Sequence, residues 1–148
     1  MRLSTRSRYG MRILVQIACD CREKDCVRGR VVAEKQGISE AYLEQILIPL
    51  KTSGLVRTVR GRNGGYALNV DPASISVLDV IELFEGPFEL AECETEDKRC
   101  ERVEKCPMYE VWHRLSEVMR REAAKITLAE LAEKNLRLEE KIPLNYVI

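Results

Sequence analysis

The run from Arg28 to Val70 constrains the fold more than any other part of the chain, because three unlike local patterns follow one another there with almost no slack between them. Val31, Val32 and Ala33 make a short apolar turn of helix and Gly37 stops it. Ser39 can cap a second helix, in which Leu43, Ile46, Leu47 and Leu50 recur at helical spacing. That is helix-turn-helix spacing. Pro49 lies inside the second pattern, so this helix is expected to end near Ile48 or to kink there. Leu55-Val-Arg-Thr-Val59 and Tyr66-Ala-Leu-Asn-Val70 then alternate as two strands, joined by Arg60-Gly-Arg-Asn-Gly-Gly65. A basic, glycine-rich hairpin directly after a helix-turn-helix reads as a DNA-contacting wing.

If the apolar face of the second helix turns to the core, Glu40, Tyr42, Glu44, Gln45 and Lys51 are left outward, the polar equipment for reading base edges. In the hairpin, glycine lets the backbone approach a surface closely, and arginines at the tip suit the narrow minor groove. A glycine-rich loop can also cradle nucleotide phosphates, but this one lacks the lysine and the strand-to-helix context of that motif. Charge points the same way. The chain is neutral as a whole, yet residues 1 to 70 carry 13 Lys/Arg against 6 Asp/Glu, and residues 71 to 148 carry 11 against 18. A basic half is the footprint of a phosphate-binding surface, and an acidic half keeps the remainder off the nucleic acid.

On either side of this run lie further helices. Residues 5 to 19 form one, capped by Ser4 or Thr5, with Leu14, Ile17, Ala18 and Cys21 on one face and Gly10 as a mild cost. Arg2, Arg6, Arg8 and Arg12 crowd its first turns, which opposes the helix dipole unless a phosphate lies nearby. Val77 to Glu85, capped by Ser76 or Ser74, buries some combination of Leu78, Ile81, Leu83 and Phe84 and stops at Gly86-Pro87. From Pro107 onward Met108, Val111, Trp112, Leu115, Val118 and Met119 recur every three to four residues. A stripe with a tryptophan at its centre suits a dimer interface, with intramolecular core as the alternative. Thr127 opens a short helix by capping box, and residues 139 to 148 carry no signal.

Between these helices lies Cys93-Glu-Thr-Glu-Asp-Lys-Arg-Cys100-Glu-Arg-Val-Glu-Lys-Cys106, a charged loop with three thiols. Thiolates brought together are what zinc or an iron-sulfur cluster requires. No run of eighteen apolar residues and no signal-peptide pattern is present, so a cytoplasmic protein without membrane contact is expected. In that reducing compartment six cysteines read as metal ligands or free thiols, although an even count also permits three bridges. Cys19, Cys21 and Cys26 read as small buried apolar residues, with a second metal site as the alternative. No nucleophile-base pair surrounds the lone histidine, His113, and no nucleotide fingerprint is present, so an enzyme is not expected.

Taken together, these residues resemble the Rrf-two family of bacterial winged-helix transcription regulators, and most closely its iron-sulfur members. The resemblance covers almost the whole chain. It rests on Met1-Arg-Leu-Ser-Thr-Arg-Ser-Arg-Tyr-Gly10, Gln36-Gly-Ile-Ser-Glu-Ala-Tyr-Leu-Glu-Gln45, Gly54-Leu-Val-Arg-Thr-Val-Arg-Gly-Arg-Asn-Gly-Gly-Tyr66, the three spaced cysteines, Trp112, and Ile126-Thr-Leu-Ala-Glu-Leu131. It implies a homodimer on double-stranded operator DNA with two half-sites, the helix beginning at Ser39 in the major groove and the hairpin 60–65 in the minor groove. Tyr42, Glu44 and Gln45 would then meet bases and Arg60 the minor groove.

In the cluster-binding members three cysteines hold an iron-sulfur cluster, and Cys93, Cys100 and Cys106 match them. Some members add a histidine three residues past the last cysteine, where this chain has Tyr109. Others use an acidic residue near the start of the first helix, where it has Arg8. The remaining candidates for a fourth ligand are Glu110, Glu104, Glu101 and His113, the last about 10 Å along a helix from Cys106.

The expected organisation is mainly α with a small β-hairpin wing: a winged helix-turn-helix domain over 1–86, a cysteine-containing sensor loop over 87–107, a dimerisation helix and a following short helix over 108–135, and a tail over 136–148. The expected function is transcription regulation, as repressor or activator, controlled by a 2Fe-2S cluster with 4Fe-4S as the alternative. The expected DNA-binding set is Ser39, Glu40, Tyr42, Glu44, Gln45, Arg60, Arg62, Gly64 and Gly65. Two other functions fit less of the chain: a DNA-binding regulator using the cysteines as a thiol switch or zinc site, and a small iron-sulfur electron carrier.

Overall fold

Helix α1, Thr5–Asp20, starts where Ser4 places its side chain to accept a bond from Ser7 N at 3.1 Å. Its first turn has no acid of its own and several arginines, so the dipole there is poorly matched. In the computed structural model, which describes residues 2–95 and 100–141, a distant carboxylate supplies what is missing. Glu85 Oε1 accepts from Ser4 N at 2.8 Å and from the Ser7 hydroxyl.

Helix α2, Gly29–Gln36, ends at Gly37 in the left-handed region (φ 65°), and α3, Glu40–Thr52, begins at the Ser39 cap. The helix neither stops at Ile48 nor is cut short by Pro49, but runs through it to Thr52. Leu50, one residue further on, is wholly buried, and that packing offsets the hydrogen bond proline cannot donate. The hairpin follows as β1, Val56–Val59, and β2, Gly65–Leu68, paired antiparallel with Thr58 opposite Tyr66 and Val59 opposite Gly65. Val27 extends it on the far edge of β2, giving N–H to Tyr66 O at 2.9 Å and accepting from Tyr66 N at 2.8 Å.

Helix α4, Val77–Glu85, starts with a reciprocal capping box between Ser76 and Asp79. It buries Val80 and Ile81, while Leu78, Leu83 and Phe84 are half-buried, so Val80 takes a core place that periodicity had given to its neighbours. The Phe84 ring lies directly on Gly10 of α1, where a Cβ would come within 2.3 Å of it. The glycine that costs helix propensity is therefore what lets α4 approach.

Helix α5, Pro107–Lys125, buries only Ser116, and its stripe of Met108, Val111, Trp112, Leu115, Val118 and Met119 faces outward. Among the described residues nothing buries that stripe, so the intramolecular-core alternative does not hold there. Helix α6, Leu128–Glu140, starts at a Thr127 capping box and returns to the first half of the fold. Val77 N bonds Ile126 O at 2.9 Å, Leu128 N bonds Ile75 O at 2.8 Å, and Leu128 and Ala132 share one core with Ile13, Leu14, Ile17, Ile46 and Leu47. Among the described residues no helix is long and apolar enough to cross a membrane.

Candidate nucleic-acid interface and cysteine loop

Because α3 commits Leu43, Ile46, Leu47 and Leu50 to the core, its other face is fixed outward. The residues on that face are not equally available. Gln45 is exposed and has no partner among the described residues, and Glu40 is exposed at the first turn. Tyr42 is half-buried and meets Tyr9 of α1 edge-on, with ring centroids 5.8 Å apart. Glu44 accepts from the Tyr66 hydroxyl of β2 and lies 3.7 Å from Lys51 Nζ, which itself sits 5.5 Å over the Tyr66 ring. Desolvation first, and the Glu44 carboxylate second, push the Tyr66 phenol up to about 12, so it stays a donor at neutral pH. Glu44 thus fastens the recognition helix to the hairpin.

At the hairpin, Arg60 and Arg62 are exposed cations without a partner among the described residues. Gly64 and Gly65 have an internal reason to be glycine: a Cβ would lie 2.3 Å from Val59 O at the first and 2.2 Å from Val27 O at the second. Asn63 braces the turn, its Oδ1 accepting from Arg28 Nη2 at 3.2 Å and its carbonyl lying 3.2 Å from Cys26 Sγ.

The amino-terminal cysteines disperse over the same body. Cys19 Sγ lies 3.5 Å from Ala132 O and Cys21 Sγ 3.6 Å from Tyr66 O, and burial pushes both thiols up. Each thiol has its own carbonyl, but only Cys19 is buried, while Cys21 and Cys26 are half-buried.

In the loop, Cys93 sits in a short 3-10 turn, Glu92–Glu94, and is half-buried; Cys100 is exposed; Cys106 is half-buried as the residue before α5. The segment 96–99 lies outside the described residues. Glu94 is the anchor of this region. With its side chain 3% exposed, its Oε2 accepts from Leu90 N at 3.1 Å, Ala91 N at 3.2 Å and Ser116 Oγ at 2.9 Å, and Oε1 faces His113 Nδ1 at 3.7 Å. Tyr109 stacks on His113 with centroids 6.2 Å apart. Glu101, Glu104 and Glu110 are exposed. The chemistry of three thiols fits an iron-sulfur cluster. Among the described residues, however, no three Cys, His, Asp or Glu side chains surround one point closely enough to hold a metal ion.

The sequence profile described as "Rrf2: Iron-dependent Transcriptional regulator" matches residues 3–134. The chain belongs to the Rrf2 family. Among its Rrf2 relatives, the HTH-type transcriptional regulator CymR of Bacillus subtilis is 33% identical over 132 residues, covering 89% of this chain and 90% of that one. IscR of Klebsiella pneumoniae, another HTH-type transcriptional regulator, is 36% identical over 131 residues, 88% of this chain and 79% of its own. The structure of CymR, the global cysteine regulator of B. subtilis, superposes with TM-score 0.74 at 32% identity, over 90% of this chain and 98% of that one. The T. potens IscR structure does so with TM-score 0.74 at 29% identity, over 99% and 95%. This Rrf2 protein is a DNA-binding transcription regulator with a winged-helix fold, and its relatives are regulators rather than enzymes.

Proposed function

We propose that this regulator binds operator DNA as a homodimer, each protomer placing α3 in the major groove and the hairpin in the adjacent minor groove. The observation that carries the reading is that Gln45, Arg60 and Arg62 are exposed and, among the described residues, uncommitted on two elements that the Tyr66–Glu44 bond locks together. In this arrangement Gln45 reads a base edge, with adenine its best bidentate partner. Ser39 and Glu40 lie at the helix amino terminus near the backbone, Tyr42 supports the helix against α1, and Arg60, Arg62, Gly64 and Gly65 form the minor-groove tip. Glu44 sets the angle between helix and wing. The exposed stripe of α5, centred on Trp112, meets its copy in the second protomer, and two such protomers imply two half-sites.

The cysteine loop is the sensor in this reading. Cys93, Cys100 and Cys106 would hold an iron-sulfur cluster, 2Fe-2S or 4Fe-4S, with a fourth ligand from Glu110, Glu104, Glu101 or His113. When bound, such a group supplies one-electron redox chemistry and sensitivity to oxidants. Cys93 adjoins Glu94, and Glu94 ties the loop to α5 through Ser116, so ordering the loop bears on the dimer helix. The likeness to CymR, whose structure is described as that of a global cysteine regulator, supports a second reading, in which the thiols act as a redox switch or a zinc site without a cluster.

Two experiments test this. Selection of duplexes from a random pool should enrich a sequence with two-fold symmetry, and no enrichment would sink the DNA-docking scheme. Anaerobic absorption and electron paramagnetic resonance spectra, with iron and sulfide counts, should show a cluster lost in Cys100→Ala. Protein free of iron and sulfide would leave the thiol switch.

A further inference from the structure

Gln16 is a polar side chain in an apolar place, 4% exposed on the core side of α1 between Leu14 and Ile17. Its Oε1 accepts from Gln36 Nε2 at 3.2 Å, and Gln36 Oε1 accepts from Arg12 Nε at 2.9 Å. A guanidinium can only donate, so Arg12 fixes which end of Gln36 faces it and hence which end of Gln16 faces Gln36. The chain of donors ends on Gln16 Nε2, which is buried and has no acceptor among the described residues. A buried amide donor without an acceptor is costly, and a partner that supplies a strong acceptor removes that cost.

Gln16 also lines a groove of about 500 Å³ between α1, the end of α2 and α6. Met11, Val15, Leu131 and Leu138 give it apolar walls. Of the charged groups around it, Arg12 is held by Gln36 at 2.9 Å, Lys35 by Asp20 at 2.7 Å and Glu139 by Asn135 at 2.9 Å. Lys134 is exposed and has no partner among the described residues. An uncommitted cation, an acceptor-seeking amide and apolar walls define an occupant with one anionic end and a short hydrocarbon end.

We propose that this groove binds a small organic carboxylate, its oxygens accepting from Gln16 Nε2 and paired with Lys134, its tail against Met11, Leu131 and Leu138. Nε2 is covered by its neighbours, so engaging it moves the Gln16–Gln36 pair. That movement has a route to the recognition helix. Arg12 lies 5.0 Å over the Tyr9 ring, and Tyr9 meets Tyr42 of α3 edge-on. The carboxylate therefore acts as an effector of operator affinity, a step that rests on the DNA-binding role above.

Titration of valerate into the full-length, isotope-labelled protein should shift the Gln16 side-chain amide resonances saturably. Pentanol, which has the tail alone, should not. Lys134→Glu, on the surface, and Gln16→Leu should each weaken valerate binding about tenfold or more, the scale of one lost charge-assisted bond. Absence of a saturable shift, equal binding of pentanol, or wild-type affinity in Lys134→Glu would overturn the site. With a selected duplex, valerate should change the dissociation constant severalfold in the wild type and not in Lys134→Glu; no change would overturn the effector role. A chain that selects no duplex refutes the DNA-docking scheme, while the resonance titration still decides the carboxylate site.

Discussion

The hydroxyl of Tyr66, on the hairpin, donates to the carboxylate of Glu44, on the recognition helix. The folded phenol titrates near 12, above its ordinary 10, so it contributes stability that is whole below about pH 10 and is lost as pH rises toward 12. Tyr66→Phe should therefore cost about 1 kcal/mol at pH 7 and much less near pH 12. Denaturant unfolding at the two pH values checks this, and a difference that does not change with pH would contradict a stabilising role for the hydroxyl's bond to Glu44.

Arg60→Ala and Arg62→Ala should each weaken binding to all duplexes alike and reduce the salt dependence of log K by about one counterion. Gln45→Ala should instead relax preference at one position by about 1–3 kcal/mol with the salt slope unchanged. Binding isotherms at several salt concentrations separate the two behaviours. If Gln45→Ala lowers affinity uniformly, the helix is not seated as proposed.

Replacing Leu115 by Glu places a charge in the middle of the exposed α5 stripe, which an isolated protomer tolerates and a dimer does not. Light scattering should report a monomer for Leu115→Glu and Trp112→Ala, with unfolding midpoints at high dilution close to wild type. A wild-type chain that is already monomeric would remove α5 as the interface.

Glu85 serves α1 from outside it. Bonds first from Ser4 and then from Ser7 hold its carboxyl below the ordinary 4.5, so the stability it lends is present above that value and is lost as pH falls through the depressed one. Glu85→Gln should lower stability at pH 7 and match the wild type once the medium is acid enough to protonate the carboxylate. Thermal melts across pH 2.5 to 7 read this out.

Gly10→Ala should cost about 1–3 kcal/mol through collision with Phe84, despite alanine's better helix propensity. In the Phe84→Ala background the same change should become neutral or stabilising. A double-mutant cycle without coupling would contradict the contact.

What could be read from the chain was mostly local. The face of α3, the hairpin and the α5 stripe each announce themselves within about a dozen residues, since helical and strand periodicities are short-range signals. The engagement of Glu44 could not be read, because its partner is 22 positions away and only the hairpin's path brings Tyr66 to it. For the same reason Glu44 looked like an ordinary base-reading side chain. The return of α6 onto α1 was likewise hidden, as Leu128 and Ala132 resemble any short amphipathic pattern until Ile75 and Ile126 pair their flanks. Gln16 did leave a trace, as the polar interruption of Ile13-Leu14-Val15-Gln16-Ile17-Ala18. In the cysteine loop, thiol spacing gave the chemistry of a metal site, but spacing along a coil says nothing of convergence in space.

The pairing of Ser76 with Thr127 means that fifty residues of chain leave the DNA reader and come back to the same place. Its two ends are clamped side by side, and α4 within it packs on α1 through Phe84 and Glu85, so only the stretch after α4 can be lengthened, shortened or given a different ligand set without moving the reader's own core. Architecturally, that stretch is a cartridge held in a fixed socket.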